Sequence, residues 1–183
     1  IARAPYVLLF LADYQRWYDY FIAADVPQIC NEAGIPMRKP AEGDLFLACC
    51  DALIAAQTAV IAAESLGIGS CYIGDIMENY EDHKAMFNLP QYVFPITLVC
   101  FGYPTPQQQA RPQTERFEQK YVVFQNRYQR LSAEEFDRMY QSRHAQVFGD
   151  RTTLKGAVNV GQFTYMRKLD SEFSREMNRS VQA

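Results

Sequence analysis

The sequence predicts a fold in which α-helices and buried β-strands are mixed, of the α+β or α/β class. Two apolar runs rich in strand-forming residues, at residues 6–12 and 95–101, predict buried strands, the first of them covered on both faces. Residues 44–66 contain neither glycine nor proline and are rich in alanine and leucine, which predicts a long helix between the two strands. The chain has 183 residues, 49% of them hydrophobic, which is enough for the core of one ordinary domain.

The segment after the first predicted strand is aromatic and then irregular. The aromatic stretch at residues 14–21 contains the only tryptophan of the chain. Its rings include those of Trp17, Tyr18, Tyr20 and Phe21. These rings form either a plain hydrophobic cluster or a lid over a ligand pocket, and the sequence leaves both interpretations open. Residues 25–40 hold three prolines and one glycine, which predicts an irregular connection.

The long helix has a predicted beginning and end, with Asp44 as the N-cap and Gly67 just beyond the last turn. It is apolar almost all round and is interrupted by Asp51, Gln57 and Glu64. These polar residues make a membrane span costly, and no interfacial anchor flanks the helix. We therefore expect a helix that is covered by the core on one side and by a partner subunit on the other.

Glycines follow this helix and punctuate residues 68–76, where they allow a close approach of the backbone to a neighbouring group. Later in the chain, Ser132 and Glu135 form a capping-box pattern that predicts a helix through about Arg143. The other predicted elements are a short helix at residues 81–87, a proline- and glutamine-rich loop at 105–116, a loop at 149–161 and a polar final helix at 162–183.

Composition argues against several classes of function. The formal net charge is −3 and there is no basic run, so neither a nucleic acid nor an anionic membrane is indicated as a partner. The five cysteines are Cys30, Cys49, Cys50, Cys71 and Cys100. An odd, scattered set predicts buried free thiols in a reducing cytoplasm, with packing roles for the adjacent pair in the long helix. No cluster has metal-ligand spacing, and both histidines, His83 and His144, are predicted at the surface near helix ends.

The two ends of the sequence lead to a further expectation. The chain begins with Ile1 rather than methionine and ends at Ala183 inside the predicted final helix. We therefore expect the full protein to contain residues ahead of the first position and further residues beyond the last.

The run from Ala52 to Gly74 carries a resemblance to a known family. It reads Ala-Leu-Ile-Ala-Ala-Gln-Thr-Ala-Val-Ile-Ala-Ala-Glu-Ser-Leu-Gly-Ile-Gly-Ser-Cys-Tyr-Ile-Gly. This run resembles the central signature of the nitroreductase family, in the branch of larger NADPH-using nitroreductases and flavin reductases. Further matches follow in the family's order, and these are Ala4-Pro5, Asp13, Leu89-Pro90, Pro95 to Pro104, Arg111-Pro112, and the pair Tyr140 and Arg143.

The resemblance implies a fold and an assembly. The family builds a three-layer α+β sandwich as an intertwined homodimer, with the long helix at the interface and each FMN site shared between subunits. Residues 1–183 would then form a single FMN-binding domain that lacks its N-terminal segment, which carries an Arg/His-x-Ser-x-Arg motif in the family, and its extreme C-terminus.

The resemblance also implies the residues of the cofactor site. Tyr72, Ile73 and Gly74 match the segment that lies along the flavin ring in the family. The residue after them, Asp75, belongs to the same candidate site, although this branch usually has a second glycine there. A ligand-free turn between helix and strand is the alternative interpretation of these glycines.

The cations implied by the resemblance lie further along the chain. Arg111 matches the family arginine that holds the FMN phosphate, a role that suits the guanidinium fork. Gln109 stands where this branch often has lysine and belongs to the same candidate phosphate site. Arg143 matches a position that meets the 2′-phosphate of NADPH. A solvated loop arginine and a helix-end arginine that interacts with the helix dipole are the alternatives for the two arginines.

The function implied is that of a cytoplasmic FMN-dependent oxidoreductase. NADPH or NADH would deliver hydride, and nitroaromatics, quinones or flavins would be reduced in a ping-pong cycle. The flavin carries the electron chemistry, so no catalytic side chain and no metal is predicted. The alternative is an inactive flavin-fold relative that binds a small molecule or a protein, which the absent motif, Gln109 and Asp75 favour.

Overall fold

The structure is a computed structural model that describes residues 4–183. The expectation about what precedes Ile1 lies outside the described residues. By internal contacts the chain divides into two compact units. The first unit consists of the chain up to Gln109 together with Glu176–Ala183, and the second consists of Ala110–Arg175.

The first unit is built on a three-stranded antiparallel sheet. Its strands are β1 (Tyr6–Asp13), β2 (Gly69–Ile73) and β3 (Val93–Gly102), in the order β1-β3-β2. Both strands predicted from apolar runs therefore form, and the mixed α+β class is confirmed. Helices α1 to α8 are Gln15–Ala23, Val26–Glu32, Glu42–Ser65, Tyr80–Phe87, Pro106–Gln109, Ala133–Phe148, Val160–Thr164 and Glu172–Gln182.

The two predicted strands differ in burial. The central strand β3 has six buried residues, whereas β1 has one, Ala12. At the start of β1, Tyr6 is 74% exposed. The prediction that residues 6–12 are covered on both faces is therefore wrong. The physical reason is that β1 lies at the edge of the sheet, where it pairs with β3 along one side.

Helix α3 packs on the sheet through its smallest side chains. The buried alanines of this helix are Ala48, Ala52, Ala56 and Ala63, and their spacing places them on one face. Ala56 and Ala63 contact Val99 and Phe101 of β3. Leu45 and Val60 also pack against the core, whereas the other large apolar side chains of α3 are exposed in this chain, and these are Phe46, Leu47, Leu53, Ile54 and Ile61. Among residues 4–183, α3 is also the one helix long and apolar enough to cross a membrane, which is weak evidence because a core helix passes the same test.

The predicted N-cap of α3 needs a correction. The helix begins at Glu42, so Asp44 is its third residue and not its N-cap. The Asp44 side chain reaches back, where it accepts a hydrogen bond from the Ala41 N–H at 2.9 Å and pairs with both terminal nitrogens of Arg38. The Arg38 guanidinium holds the pKa of the Asp44 carboxyl well below its usual range. A short acidic side chain can stabilise a helix start from the third position as well as from the cap.

Other boundaries also differ from those predicted. Residues 25–40 contain α2, because Pro27 occupies its first turn, where proline is compatible with a helix. The loop predicted at 105–116 contains the single helical turn α5. The predicted helix at 162–183 is interrupted, because the Ser171 hydroxyl accepts from the Ser174 N–H at 3.2 Å and so starts α8 as a separate helix.

The second unit is organised by α6. Its predicted capping box is confirmed, with the Glu135 N–H donating to Ser132 Oγ at 3.3 Å and the Ser132 N–H donating to the Glu135 carboxylate at 2.8 Å. The helix continues to Phe148, beyond the predicted end. Phe148 is fully buried, and the His144 ring stacks on it at 4.5 Å. His144 is therefore partly buried, as is His83 in α4, so the two histidines predicted at the surface are only partly exposed.

The five cysteines are free, as predicted, but they are not all buried. Cys50 and Cys71 are exposed, and the other three are partly buried. The apolar segments that hold them expose one face in this chain, which explains the difference.

Helix α8 returns to the first unit and is attached to α4 by charged groups. Arg179 donates to both carboxylate oxygens of Glu81, at 2.8 and 2.7 Å, and also to Glu176. Ser180, which is 1% exposed, accepts a hydrogen bond from the Tyr80 N–H at 3.2 Å. The first unit therefore includes the end of the chain, Glu176–Ala183, which follows the second unit in sequence.

Replacing Arg179 with glutamine is expected to lower the stability of the protein at neutral pH and to have little effect near pH 2. Arg179 lowers the pKa of Glu81 and of Glu176 from 4.5 to about 2. Carboxyl groups with a lowered pKa contribute stability above about pH 4.5, and that contribution is lost as the pH falls through the lowered values. Urea unfolding of the wild type and Arg179→Gln at several pH values measures the difference.

Arg130→Gln is the matched control, because this exposed arginine lies outside the α8 contact. It should show no comparable pH-dependent difference. If the Arg179→Gln difference is the same at pH 2 as at neutral pH, the ion pairs are not its cause.

Candidate functional site

The candidate ring site, Tyr72 to Asp75, lies where β2 ends. Tyr72 and Ile73 are the last residues of the strand, and the next two begin a 3₁₀ turn, Gly74–Met77. Tyr72 is 41% exposed, and its hydroxyl lies 3.2 Å from the side-chain oxygen of Gln57 on α3, to which it donates. The predicted residues are thus contiguous in space and reach the surface at an edge strand beside α3.

The end of α3 delivers the chain to this position. Gly67 has φ +73°, and its N–H donates to the Glu64 carbonyl at 2.9 Å. The Ile68 N–H donates to the Ala63 carbonyl at 3.0 Å, which completes a Schellman motif. The predicted position of Gly67 after the helix is therefore confirmed. The left-handed residue turns the chain directly from α3 into β2.

The glycines of this segment serve two different purposes. A Cβ on Gly69 would lie 3.3 Å from the carbonyl oxygen of Gly102, its partner on β3. Gly69 therefore permits a close approach of two strands rather than of a ligand. A Cβ on Gly74 would meet only the Met77 methyl group, at 3.7 Å, and the φ of Gly74 is not in the left-handed region. Nothing in the chain's own packing requires glycine at position 74.

Gln109 lies at the end of the single helical turn α5, also in the first unit. Its N–H donates to the Thr105 carbonyl at 3.0 Å, and its side-chain amide lies 3.5 Å from the Pro104 carbonyl. The residue is exposed. An exposed, uncharged amide offers hydrogen bonds to an anion but does not offset the anion's charge.

Arg111 belongs to the second unit and is exposed. No hydrogen bond or ion pair joins its guanidinium to another residue in the range 4–183. Its five donors are therefore available to an anion, with no internal carboxylate to displace.

Arg143 lines a cleft of about 340 Å³ within the second unit. It is exposed on α6, and its guanidinium lies 5.4 Å from the centre of the Phe117 ring. Arg116 and Arg138 also line the cleft, and the sequence analysis did not identify these two cations. Residues 138, 142 and 145–146 follow at helical spacing, so the periodicity of α6 could have indicated one face. The remaining charged lining residues are Glu115 and Glu118.

The aromatic stretch forms a cluster at the surface. The Trp17 ring lies 6.2 Å from that of Tyr20 and 5.8 Å from that of Phe21, all on α1. Tyr18 packs against Tyr92 at 5.2 Å. The plain hydrophobic cluster is present, and its role as a lid stays a prediction.

The arrangement suits the binding of a flat ligand better than acid–base chemistry. The chain at residues 72–74 offers main chain, an aromatic ring and an aliphatic side chain. Asp75 adds one exposed carboxylate. Across residues 4–183, no group of three or more His, Cys, Asp or Glu side chains is placed to hold a metal ion.

Known proteins match the chain over most of its length. Residues 1–103 match the family model described as the nitroreductase family. The chain is 33% identical over 131 residues to the oxygen-insensitive NADPH nitroreductase of Salmonella typhimurium, which covers 72% of the chain and 48% of that protein. It is 30% identical over 182 residues to the FMN reductase (NAD(P)H) of Bacillus subtilis, covering 97% of the chain and 68% of that protein.

A solved structure shows the same fold. The hypothetical oxidoreductase YcnD from Bacillus subtilis superposes with a TM-score of 0.70 and 25% identity, over 97% of this chain and 69% of that one. The chain thus spans about half of the Salmonella protein and about two thirds of the two Bacillus proteins.

Alanine substitutions are expected to separate the two glycines. Gly69→Ala should be the less stable variant, because its Cβ presses on a backbone carbonyl that strand pairing holds in place, and overpacking of this kind costs about 1–3 kcal/mol. Gly74→Ala should unfold within about 0.5 kcal/mol of the wild type, as surface substitutions usually do. Urea unfolding of the three proteins measures both. Equal losses for the two variants would contradict the distinction.

Proposed function

The chain belongs to the nitroreductase family, and on this premise we propose that the protein is an FMN-dependent NAD(P)H oxidoreductase that reduces nitroaromatics, quinones or flavins. The fold of the chain is the nitroreductase fold. The observation that carries the proposal is the family match over residues 1–103, which includes the helix α3, the turn at Gly67 and the strand β2. The names of the two relatives, an NADPH nitroreductase and an FMN reductase, support the same activity.

The residues present fit a flavin mononucleotide. At Gly74 the chain's own packing leaves the space of a side chain unfilled, which allows a flat ring to lie against the main chain. Tyr72 and Ile73 would border the ring, with Asp75 following them. When bound, FMN supplies the two-electron chemistry between the nicotinamide and the acceptor.

The phosphate of the cofactor requires cations and donors. We assign it to Arg111, whose guanidinium has no internal partner among the described residues, and to the side-chain amide of Gln109. The neutral amide orients the phosphate, and the arginine offsets its charge.

The dinucleotide co-substrate is assigned to the cleft of the second unit. Arg143 offers its guanidinium there, next to Arg116 and Arg138. Three cations against two carboxylates favour a phosphate group, so the cleft suits the 2′-phosphate of NADPH rather than the hydroxyl of NADH. The proposed residue for this contact is Arg143. The ratio of the KM values for NADPH and NADH measures its contribution to the choice between them.

The purified protein is expected to bind FMN and turn yellow, to be bleached by NADPH, and to recover its colour with a nitro compound or quinone. Arg111→Ala should raise the Kd for FMN by about 10- to 150-fold, because a hydrogen bond to a charged group contributes about 1.5–3 kcal/mol. Fluorescence titration with FMN measures the Kd, and Arg130→Ala, another exposed loop arginine, is the matched control.

The outcomes of this experiment are distinct. A colourless protein that FMN cannot reconstitute would contradict the oxidoreductase and favour the inactive binding module. An active protein in which Arg111→Ala and Arg130→Ala bind FMN equally would retain the function and remove Arg111 from the phosphate site.

We also propose that the protein is a cytoplasmic homodimer in which α3 forms the interface. Leu47, Ile54 and Ile61 recur every seven residues on the exposed side of this helix, and Ile54 is 66% exposed. Side chains at this spacing form one apolar stripe, as at a helix–helix seam. A second copy of the chain would cover the stripe by a two-fold axis. Five free cysteines agree with a reducing compartment.

Ile54→Glu is expected to convert the dimer to a monomer, because it would place carboxylates in an apolar contact on both subunits. Light scattering coupled to size-exclusion chromatography measures the mass. Ile29→Glu, on exposed Ile29 of α2, is the control and should remain dimeric. A monomeric wild type, or a dimeric Ile54→Glu protein, would contradict the assignment of this interface.

A further inference from the structure

We propose that Cys71 and Cys100 form a redox-modification site, a pair of thiols that is reversibly oxidised to a disulfide. The two residues lie on neighbouring strands, β2 and β3, at directly opposed positions of the antiparallel register. The proposed oxidoreductase activity does not use them, and this inference does not depend on a bound flavin.

The backbone places the two residues within bonding range. Directly opposed residues of an antiparallel pair have Cα atoms about 4.5–5.5 Å apart. Disulfides in proteins span Cα separations of about 4.4–6.8 Å. The register therefore brings the two cysteines together without any movement of one strand along the other.

The two thiols also share one face of the sheet. Val99 and Phe101 of β3 pack against α3, so Cys100 between them points to the opposite face. Directly opposed residues have side chains on the same face, which places Cys71 beside it. Cys71 is exposed and Cys100 is partly buried. A reagent in solution can therefore reach Cys71 first.

The two thiols of α3 do not compete for this partner. Cys49 and Cys50 belong to α3, on the other face of the sheet from Cys100. As neighbours in a helix they project in different directions, so they do not pair with each other. Burial raises the pKa of the Cys49 thiol and lowers its reactivity.

The oxidation balances with a low-molecular-weight disulfide as the oxidant. The Cys71 thiolate attacks one sulfur of that disulfide, which forms a mixed disulfide and releases one thiolate. The Cys100 thiolate then attacks the Cys71 sulfur, which forms the Cys71–Cys100 bond and releases the second thiolate. In total two protein thiols are oxidised to one disulfide, and one small disulfide is reduced to two thiols.

The geometry also favours reversal. Opposed Cβ atoms in a sheet lie about 4.5–5.5 Å apart, whereas a disulfide prefers about 3.5–4.5 Å. The strands must draw together to close the bond, and bonds of this kind are readily reduced. The closed form would link β2 to β3 one residue before Tyr72 and so fix the end of the edge strand.

The test is oxidation of the reduced protein with oxidised and reduced glutathione mixtures in native buffer. N-ethylmaleimide then traps the remaining thiols, and mass spectrometry counts and maps them. The expected result is a loss of two of the five alkylatable thiols, a chymotryptic cross-link between Cys71 and Cys100, and recovery of all five on adding excess reduced glutathione. The same treatment in urea should give far less of this cross-link.

Variants assign the order of the steps. Cys100→Ser should leave Cys71 as a stable mixed disulfide with glutathione, and the control Cys49→Ser should form the cross-link as the wild type does. The proposal is overturned by glutathionylation of Cys71 without the cross-link, by cross-links to other cysteines, by five unreacted thiols under oxidising conditions, or by equal yields in urea. The mass-spectrometric map of thiols and cross-links in the wild-type protein tests the proposal even if a variant does not fold.

Discussion

The contact between the alanine face of α3 and the central strand β3 is the constraint on which the first unit depends. Ala56 and Ala63 lie directly on Val99 and Phe101. A larger side chain at these positions would hold the helix away from the sheet. The close approach fixes the position of the C-terminal end of α3 relative to the sheet. The last turn of the helix lies over β3, the strand with which β2 pairs. The candidate ring segment owes its position to this packing.

The same contact divides the surface of α3 by side-chain size. The alanines face the sheet, and most of the bulky apolar side chains, such as Leu47, Ile54 and Ile61, face away from it. An ordinary amphipathic helix places mainly polar residues on its outer side, whereas the outer side of α3 is largely apolar and is interrupted by the exposed Asp51, Gln57 and Glu64. Its composition is therefore that of a helix between two apolar surfaces, one supplied by this chain and the other, in our proposal, by a second copy. The two candidate phosphate-binding arginines, Arg111 and Arg143, by contrast, belong to the polar second unit.

Local signals predicted the elements that local physics determines. The apolar runs, the Ser132 capping box and the glycine after α3 each depend on a few neighbouring residues, and each formed as predicted. Burial of β1 could not be predicted, because it depends on which strand lies at the edge. The role of Gly69 could not be predicted either, because it depends on Gly102, a residue distant in sequence that pairs with it on β3. The candidate ring segment was identified from the family resemblance. Its role stays a proposal, as does the assignment of Arg111, Gln109 and Arg143 to their ligands.

The attachment of α8 to α4 has a consequence for the biosynthesis of the protein. Glu81 and Tyr80 emerge from the ribosome roughly a hundred residues before Arg179 and Ser180, at a rate of about 5–20 residues per second. The whole second unit is made in that interval. Until the late partners emerge, α4 displays an unpaired carboxylate and an unpaired backbone donor. The first unit therefore completes its fold after the second has been synthesised, although most of it is translated earlier.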